Sequence, residues 1–331
     1  MIPLCDELIH VSTTNLASAP YYSPMDVEEN EVVKLVYILS SGRSGSTILE
    51  MMLANSTDLW ATGEVHLLNY ALSDSDVKCG CGKAVVDCSF WSEVVKKLKN
   101  NQKFSFSQLS LLRDVSGLGK VVRWKYVWPI ITGKVSESFL SAAQEYGEHN
   151  RTLFMEAASS INDVGSRAYF IDSSKDPYRL LLLEKSGYFD IKVIHITKPI
   201  EAFLYSMLDG KSKLLLTIRM TVRWITDGLI MTRLAKQHFA TKNYMHVKYT
   251  DLVENPDEYV RDLQKLFNLP EFAASDNDSR SPISHGLAGN KVRLTNMTIT
   301  PDYRWMNSPS TLLLKFSKII SYPVRRKLGY R

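Results

Sequence analysis

The apolar positions of this chain fall into two kinds of run. Short runs rich in β-branched and aromatic residues read as buried strands: "VVKLVYIL" (Val32–Leu39), "AYFID" (Ala168–Asp172), "IKVIHIT" (Ile191–Thr197) and "NYMHVKY" (Asn243–Tyr249). Each is followed by a segment of helical pattern. In "NPDEYVRDLQKLFNLP", Asn255 and Pro256 read as N-cap and first helical residue. Val260, Leu263, Leu266 and Phe267 then share one helical face. Strands alternating with helices predict an α/β fold, a parallel sheet flanked by helices with right-handed crossovers. More than 120 residues separate the first two runs, mostly of helical pattern. That is too long for a simple crossover. It predicts a helical insertion over about 92–165 that roofs the site and helps choose the substrate. Residues 1–30 are polar and irregular, 31–331 read as one domain, and 271–284 read as a polar flap.

Composition narrows the possibilities. The chain has 331 residues, 45% of them hydrophobic, enough for a sizeable core. It has no apolar run of membrane-spanning length. The net charge of +5, from 40 basic and 35 acidic residues, comes without the dense basic cluster of a nucleic-acid binder. The basic, partly apolar end "KFSKIISYPVRRKLGYR" reads as a solvated helix rather than an anionic-surface contact. Four cysteines are too few for a disulfide scaffold, and the N-terminus lacks a secretory pattern. A reducing, cytoplasmic setting follows as the expectation. Oligomeric state is not legible.

The chemistry begins at "SSGRSGST", Ser40–Thr47, between a strand and a helix. Such a turn gathers backbone N–H groups at the positive end of a helix dipole, a site for an oxyanion. Ser46 and Thr47 add hydroxyls, and Arg43 adds a planar fork suited to phosphate or sulfate. A nucleotide-hydrolysing loop reads G-x-x-x-x-G-K-[ST]. Here Ser40 replaces the first glycine and Ser46 the lysine, and the charge sits at Arg43.

This loop resembles the 5′-phosphosulfate loop of sulfotransferases that use 3′-phosphoadenosine-5′-phosphosulfate (PAPS). Further segments are similar to that family in the same order. "IDSSKDPYRL" resembles its K-D-P segment, "HITKPIEAFLYS" its R-D-P-x-A-x-x-x-S segment, and "VKYTDLVENP" its Y-E-D-L-x-x-N-P. "HGLAGNKVRL" with "ITPDYRW" resembles the ending of bacterial members, and "CGCGKAVVDCSFW" a cysteine segment of theirs. The likeness spans Val32 to Trp305. It implies a P-loop NTPase-like sulfotransferase fold, with PAPS as co-substrate and no required metal.

Carried over position by position, the resemblance assigns Arg43, Ser44, Gly45, Ser46 and Thr47 to the 5′-phosphosulfate, and Lys175 to the transferred group. It assigns Lys198, Ser206, Asn290, Lys291 and Arg293 to the 3′-phosphate, and Tyr249 to the donor site or else to the core. Lys198 departs from the family arginine, and Pro199 from the residue after it. For the base that takes the acceptor proton, Glu64 and His66 compete, with His285 a weaker third. The tyrosylprotein sulfotransferase arrangement favours Glu64.

Cys79, Cys81 and Cys88 form C-x-C-x6-C. This reads as a packed hairpin with free thiols, zinc being the alternative if a fourth ligand exists. Trp91 reads as a core anchor of that lobe.

The acceptor is expected to be a small molecule, a natural product with a hydroxyl or an amine. One guess is a cyanobacterial guanidinium alkaloid of the saxitoxin type. A glycan or lipid acceptor, a P-loop kinase or NTPase with Asp172 in a Walker B role, and a non-catalytic nucleotide- or sulfate-binding module are the alternatives.

Overall fold

The computed structural model describes residues 32–56, 58–110, 119–161, 169–208, 213–269, 284–290, 294, 302–307 and 311–330, leaving out the side chains of 119–125. The irregular segment 1–30, nearly all of the 271–284 flap, Lys291 and Arg293 lie outside the described residues.

Five strands form one parallel sheet in the order β2-β3-β1-β4-β5. They are β1 (Val33–Ser40), β2 (Leu59–Gly63), β3 (Tyr169–Lys175), β4 (Phe189–Thr197) and β5 (Tyr244–Lys248). Between β1 and β2 lies α1 (Ser46–Leu53); between β2 and β3 lie α2 (Leu68–Ser73), α3 (Ser89–Asn100), α4 (Gly119–Thr132) and α5 (Glu137–Ala158). Then come α6 (Pro177–Ser186), α7 (Ile200–Leu208), α8 (Leu214–His238), α9 (Tyr249–Glu254), α10 (Pro256–Phe267), α11 (Leu312–Ile320) and α12 (Tyr322–Lys327).

Strand alternation sorts the core. On β1, Leu35, Tyr37 and Leu39 enter one apolar cluster with α3, α5 and α6, while Val36 and Ile38 enter the other with α1 and α10. A strand covered on both faces must be apolar throughout, which is why these runs stood out. Each fully buried Leu, Ile or Val contributes about 1.5–3 kcal/mol.

Three expectations need correction. The strand β2 was not read from the sequence. It is an edge strand, and its Ala61 and Gly63 lack the β-branched character that marked the others. The helical insertion therefore follows β2 rather than β1, and α3, α4 and α5 belong to it. Leu266 is 38% exposed, and Gln264 takes the buried place beside Leu263 and Phe267. The C-terminal region is not a simple solvated helix. Val324 and Leu328 pack with Phe203, Met220 and Trp224, while Leu312, Phe316 and Ile319 of α11 stay exposed.

Beneath the sheet's C-terminal edge lies a buried ion pair. Arg179 donates to Asp172 at 3.0 and 2.7 Å, to Asn150 at 2.7 Å, and to the Tyr146 hydroxyl. Burial alone would lower the Arg179 value, but Asp172 and its neighbours raise it above the ordinary guanidinium range. The other Asp172 oxygen accepts from the Ser174 amide at 2.8 Å. Removing one partner strands a buried charge. Arg179→Met is expected to destabilise the chain by about 3–5 kcal/mol, measured by denaturant unfolding.

A second buried set titrates. His195 and His246 face each other across β4 and β5, with ring centroids 5.2 Å apart. Burial holds both imidazoles low, His246 at about 4; His246 adds to the lowering of His195, and Lys248 to that of His246, which Asp251 opposes. Across this window the unfolded chain binds protons that the folded chain refuses. Stability therefore rises with pH from about 4 towards the ordinary imidazole range, and is lost as pH falls. Thermal unfolding across that range should show the slope, and His246→Gln should flatten it.

Candidate active site

All five strands end on one edge, and the predicted site residues that are described gather at or near it. The β1 chain turns at Ser40 and enters α1 at Ser46. Gly45 stands at the helix N-terminus with φ +94°, and a Cβ there would overlap the Tyr249 ring. Only glycine satisfies both conditions. Ser44 and Ser46 are buried and Arg43 is exposed. The Arg223 guanidinium of α8 reaches the same loop, 3.7 Å from where a Cβ on Gly42 would lie. Nothing in the sequence around Arg223 signalled this.

On the adjacent strand, Lys175 is the last residue of β3, level with Leu39 of β1 at the root of the loop. Its Nζ donates to Glu64 Oε1 at 2.6 Å, and both side chains are about 10% exposed. Glu64 directly follows β2, and β2 pairs with β3, so the sheet brings together residues 111 positions apart. His66 is also here, but its Nδ1 is hydrogen-bonded to Ser174 Oγ at 2.8 Å. Ser173 donates to Glu50 of α1 at 2.5 Å. Glu50 is thus a second carboxylate near the site, with no motif in the sequence to signal it.

On the other side of the loop, Lys198 follows β4. It is buried, with its Nζ 4.3 Å from the centroid of the Tyr249 ring. Burial pushes its ammonium below the ordinary lysine value; Asp302 opposes this, and the charges of Arg304 and Arg43 add to it. Tyr249 opens α9 rather than ending β5, and wedges between Gly45 and Lys198. It is at once a core residue and a wall of the site. Ser206 is half-buried on α7, which starts two residues after Lys198.

The segment 284–290 crosses this edge as a strap. Leu287 donates to Thr62 at 2.9 Å and accepts from the Glu64 amide at 2.8 Å. The Asn290 amide reaches Thr47 Oγ1 at 3.3 Å. Asn290, assigned from the sequence to the 3′-phosphate, thus lies beside Thr47 at the end of the glycine loop. His285 does not approach Glu64's partners as a base; its ring nitrogen faces Cys79 and Cys88.

Four described non-glycine residues have positive φ. Asn268 caps a helix, where asparagine is tolerated. The other three, Arg43, Lys175 and Ala288, belong to the loop, the lysine and the strap. Apart from Asn268, the described positive-φ residues that are not glycine therefore gather at this one edge.

A sulfotransferase domain from the curacin biosynthetic pathway superposes on this chain with a TM-score of 0.50 at 17% identity, covering 91% of this chain and 99% of that one. This is the sulfotransferase fold. The sulfotransferase domain of the Synechococcus PCC 7002 olefin synthase is also similar, with a TM-score of 0.48 at 18% identity over 93% and 99%. So is the sulfotransferase STF9 from Mycobacterium avium, with a TM-score of 0.46 at 10% identity over 91% and 78%. No family model matches the chain, and no curated protein matches it.

Gly45→Ala should destabilise the chain by about 1–3 kcal/mol through overlap with Tyr249. In a Tyr249→Ala background the same change should cost less, leaving the left-handed backbone term of about 1–2 kcal/mol. Thermal unfolding of the four variants of the cycle measures the difference.

Proposed function

We propose that this chain transfers a sulfuryl group from PAPS to a hydroxyl or amine of a small-molecule acceptor. The observation that carries the reading is the Lys175–Glu64 contact at 2.6 Å, on the strands next to a glycine loop that presents Arg43. A cation for the moving group and a carboxylate for the proton stand together beside an oxyanion cradle. The fold shared with sulfotransferase domains supports the same reading.

In the reaction, the bond from sulfur to the donor's bridging oxygen breaks, and a bond to the acceptor oxygen or nitrogen forms. Glu64 takes the acceptor proton. Arg43, the α1 N-terminus and Lys175 stabilise the negative charge that collects on the bridging oxygen. In the free protein Lys175 is held by Glu64; bound donor draws the ammonium away and leaves the carboxylate to face the acceptor. His66, turned to Ser174, positions the β3 end rather than taking the proton. Lys198, with Asn290 and the residues that follow it, receives the 3′-phosphate. A buried cation of lowered value beside an aromatic face is well suited to a dianion that restores its charge.

A kinase or NTPase reading is disfavoured by one observation. Asp172, the Walker B candidate, spends both oxygens on Arg179 and the Ser174 amide. The acceptor is proposed to be a natural product, since the neighbour of similar fold comes from a biosynthetic pathway. We place the reaction in the cytoplasm, with no nucleic-acid partner. No helix among the described residues is long and apolar enough to cross a membrane.

Calorimetry with 3′-phosphoadenosine 5′-phosphate, without magnesium, should show binding at least about tenfold tighter than 5′-AMP, a difference of 1.4 kcal/mol. A preference for ATP with magnesium would overturn the reading. Lys198→Ala should erase most of that preference. Because burial lowers the Lys198 value, donor affinity should fall at a lower pH than an ordinary lysine would dictate. Glu64→Gln should retain donor binding and lose transfer, by about 10²–10⁴-fold. Full activity in that variant, with a dead His66→Ala, would move the base to His66.

A further inference from the structure

The cysteine segment gains in space the ligand it lacked in sequence. Cys79, Cys81, Cys88 and His285 bring three sulfurs and one ring nitrogen within 4.8 Å of one another. His285 Nδ1 lies 3.3 Å from Cys88 Sγ and 3.6 Å from Cys79 Sγ. Tetrahedral zinc with Zn–S of about 2.3 Å and Zn–N of about 2.0–2.1 Å holds its ligand atoms about 3.5–3.8 Å apart. The cluster matches that spacing after only a small contraction. None of these three cysteines is in a disulfide.

The surroundings are built for ligation. Cys79 and Cys81 sit on a tight turn, where Cys79 N–H donates to Lys83 at 2.8 Å and Gly82 N–H donates to Cys79 at 2.9 Å. Cys88 is the N-cap residue of α3, where the helix dipole favours a thiolate. The His285 ring is fixed by stacking on Phe90 at 4.9 Å and Trp60 at 5.8 Å. Its carbonyl accepts from Trp91 Nε1 at 2.7 Å. Such outer contacts orient a metal-binding histidine.

We propose that Cys79, Cys81, Cys88 and His285 form a structural zinc site that clasps the 284–290 strap onto the active edge. His285 belongs to the strap, and the cysteines belong to the hairpin ahead of α3. Two residues beyond His285, Leu287 holds the Glu64 backbone; three further on, Asn290 meets Thr47. The metal would therefore hold, through the six residues His285–Asn290, the Glu64 backbone and the end of the glycine loop. All four positions are filled by protein, as in closed structural sites, so the zinc takes no part in transfer. Binding of the metal stands apart from the proposed activity; the consequence for the active edge rests on it.

The test uses the full chain, purified without chelator. Metal analysis should find about one zinc per chain. Cobalt substitution should give the intense thiolate-to-metal charge-transfer bands and visible bands of a tetrahedral sulfur-rich site. Cys81→Ser and His285→Gln should each lose most of the zinc and lower the melting temperature. If either variant fails to fold, the cobalt spectrum of the unaltered chain still decides. Removing zinc should speed hydrogen exchange at the Glu64 and Leu287 amides while the β1 amides stay protected. A chain without stoichiometric zinc, whose thiols react equally fast with and without added zinc, would overturn the site. Bound zinc with unchanged exchange at Glu64 would overturn the clasp. Neither result depends on whether the chain binds PAPS.

Discussion

Five strands run in one direction, and backbone hydrogen bonding between them leaves a single edge where all their C-terminal ends emerge. Every chemical group of the site descends from that constraint. From one side of the sheet to the other, the edge presents Glu64 after β2, Lys175 at the end of β3, the glycine loop after β1, Lys198 after β4 and Tyr249 after β5. Strand spacing of about 4.8 Å spreads these groups over roughly 19 Å. The strand order therefore fixes the order of the groups along the edge: a carboxylate, an ammonium, the glycine loop, a second ammonium and a tyrosine. Had β2 paired on the far side, Glu64 would stand beyond reach of Lys175.

The edge is also where the fold concentrates its strain and its support. Arg43, Lys175 and Ala288 hold left-handed backbone without being glycine. Two of them have a fixed neighbour. The Arg43 loop is wedged by Tyr249 against Gly45, and Lys175 is anchored by Glu64. Below Lys175 the Asp172–Arg179 pair pins β3 and α6 together. A site supported in this way spends little on reorganisation when charge develops.

The strap 284–290 adds a second kind of constraint. It lies outside the five strands, yet Leu287 pairs with Gly63 as though extending the sheet, at a place where a Cβ on Gly63 would overlap its backbone. The strap has few apolar anchors of its own. It is held in its middle by the Leu287 backbone bonds to Thr62 and Glu64 and by the buried Leu287 side chain, and flanked by the cysteine cluster on one side and Thr47 on the other.

Much of this was legible in the residues. The four apolar runs marked β1, β3, β4 and β5, and the small residues around Gly45 marked an anion loop, because both signals are local. The strand β2 was not legible, since Leu59–Gly63 is short and ends in the small residues Ala61 and Gly63. Nor was the use of Arg223, Glu50 or His285, whose side chains serve partners far off in sequence. The sequence by itself determined which groups are available: the loop, the cations, two candidate bases and three thiols. Only the tertiary structure decided which of them meet. Proximity between residues 111 or 197 positions apart is set by strand order and by the path of the strap, and no local pattern encodes it.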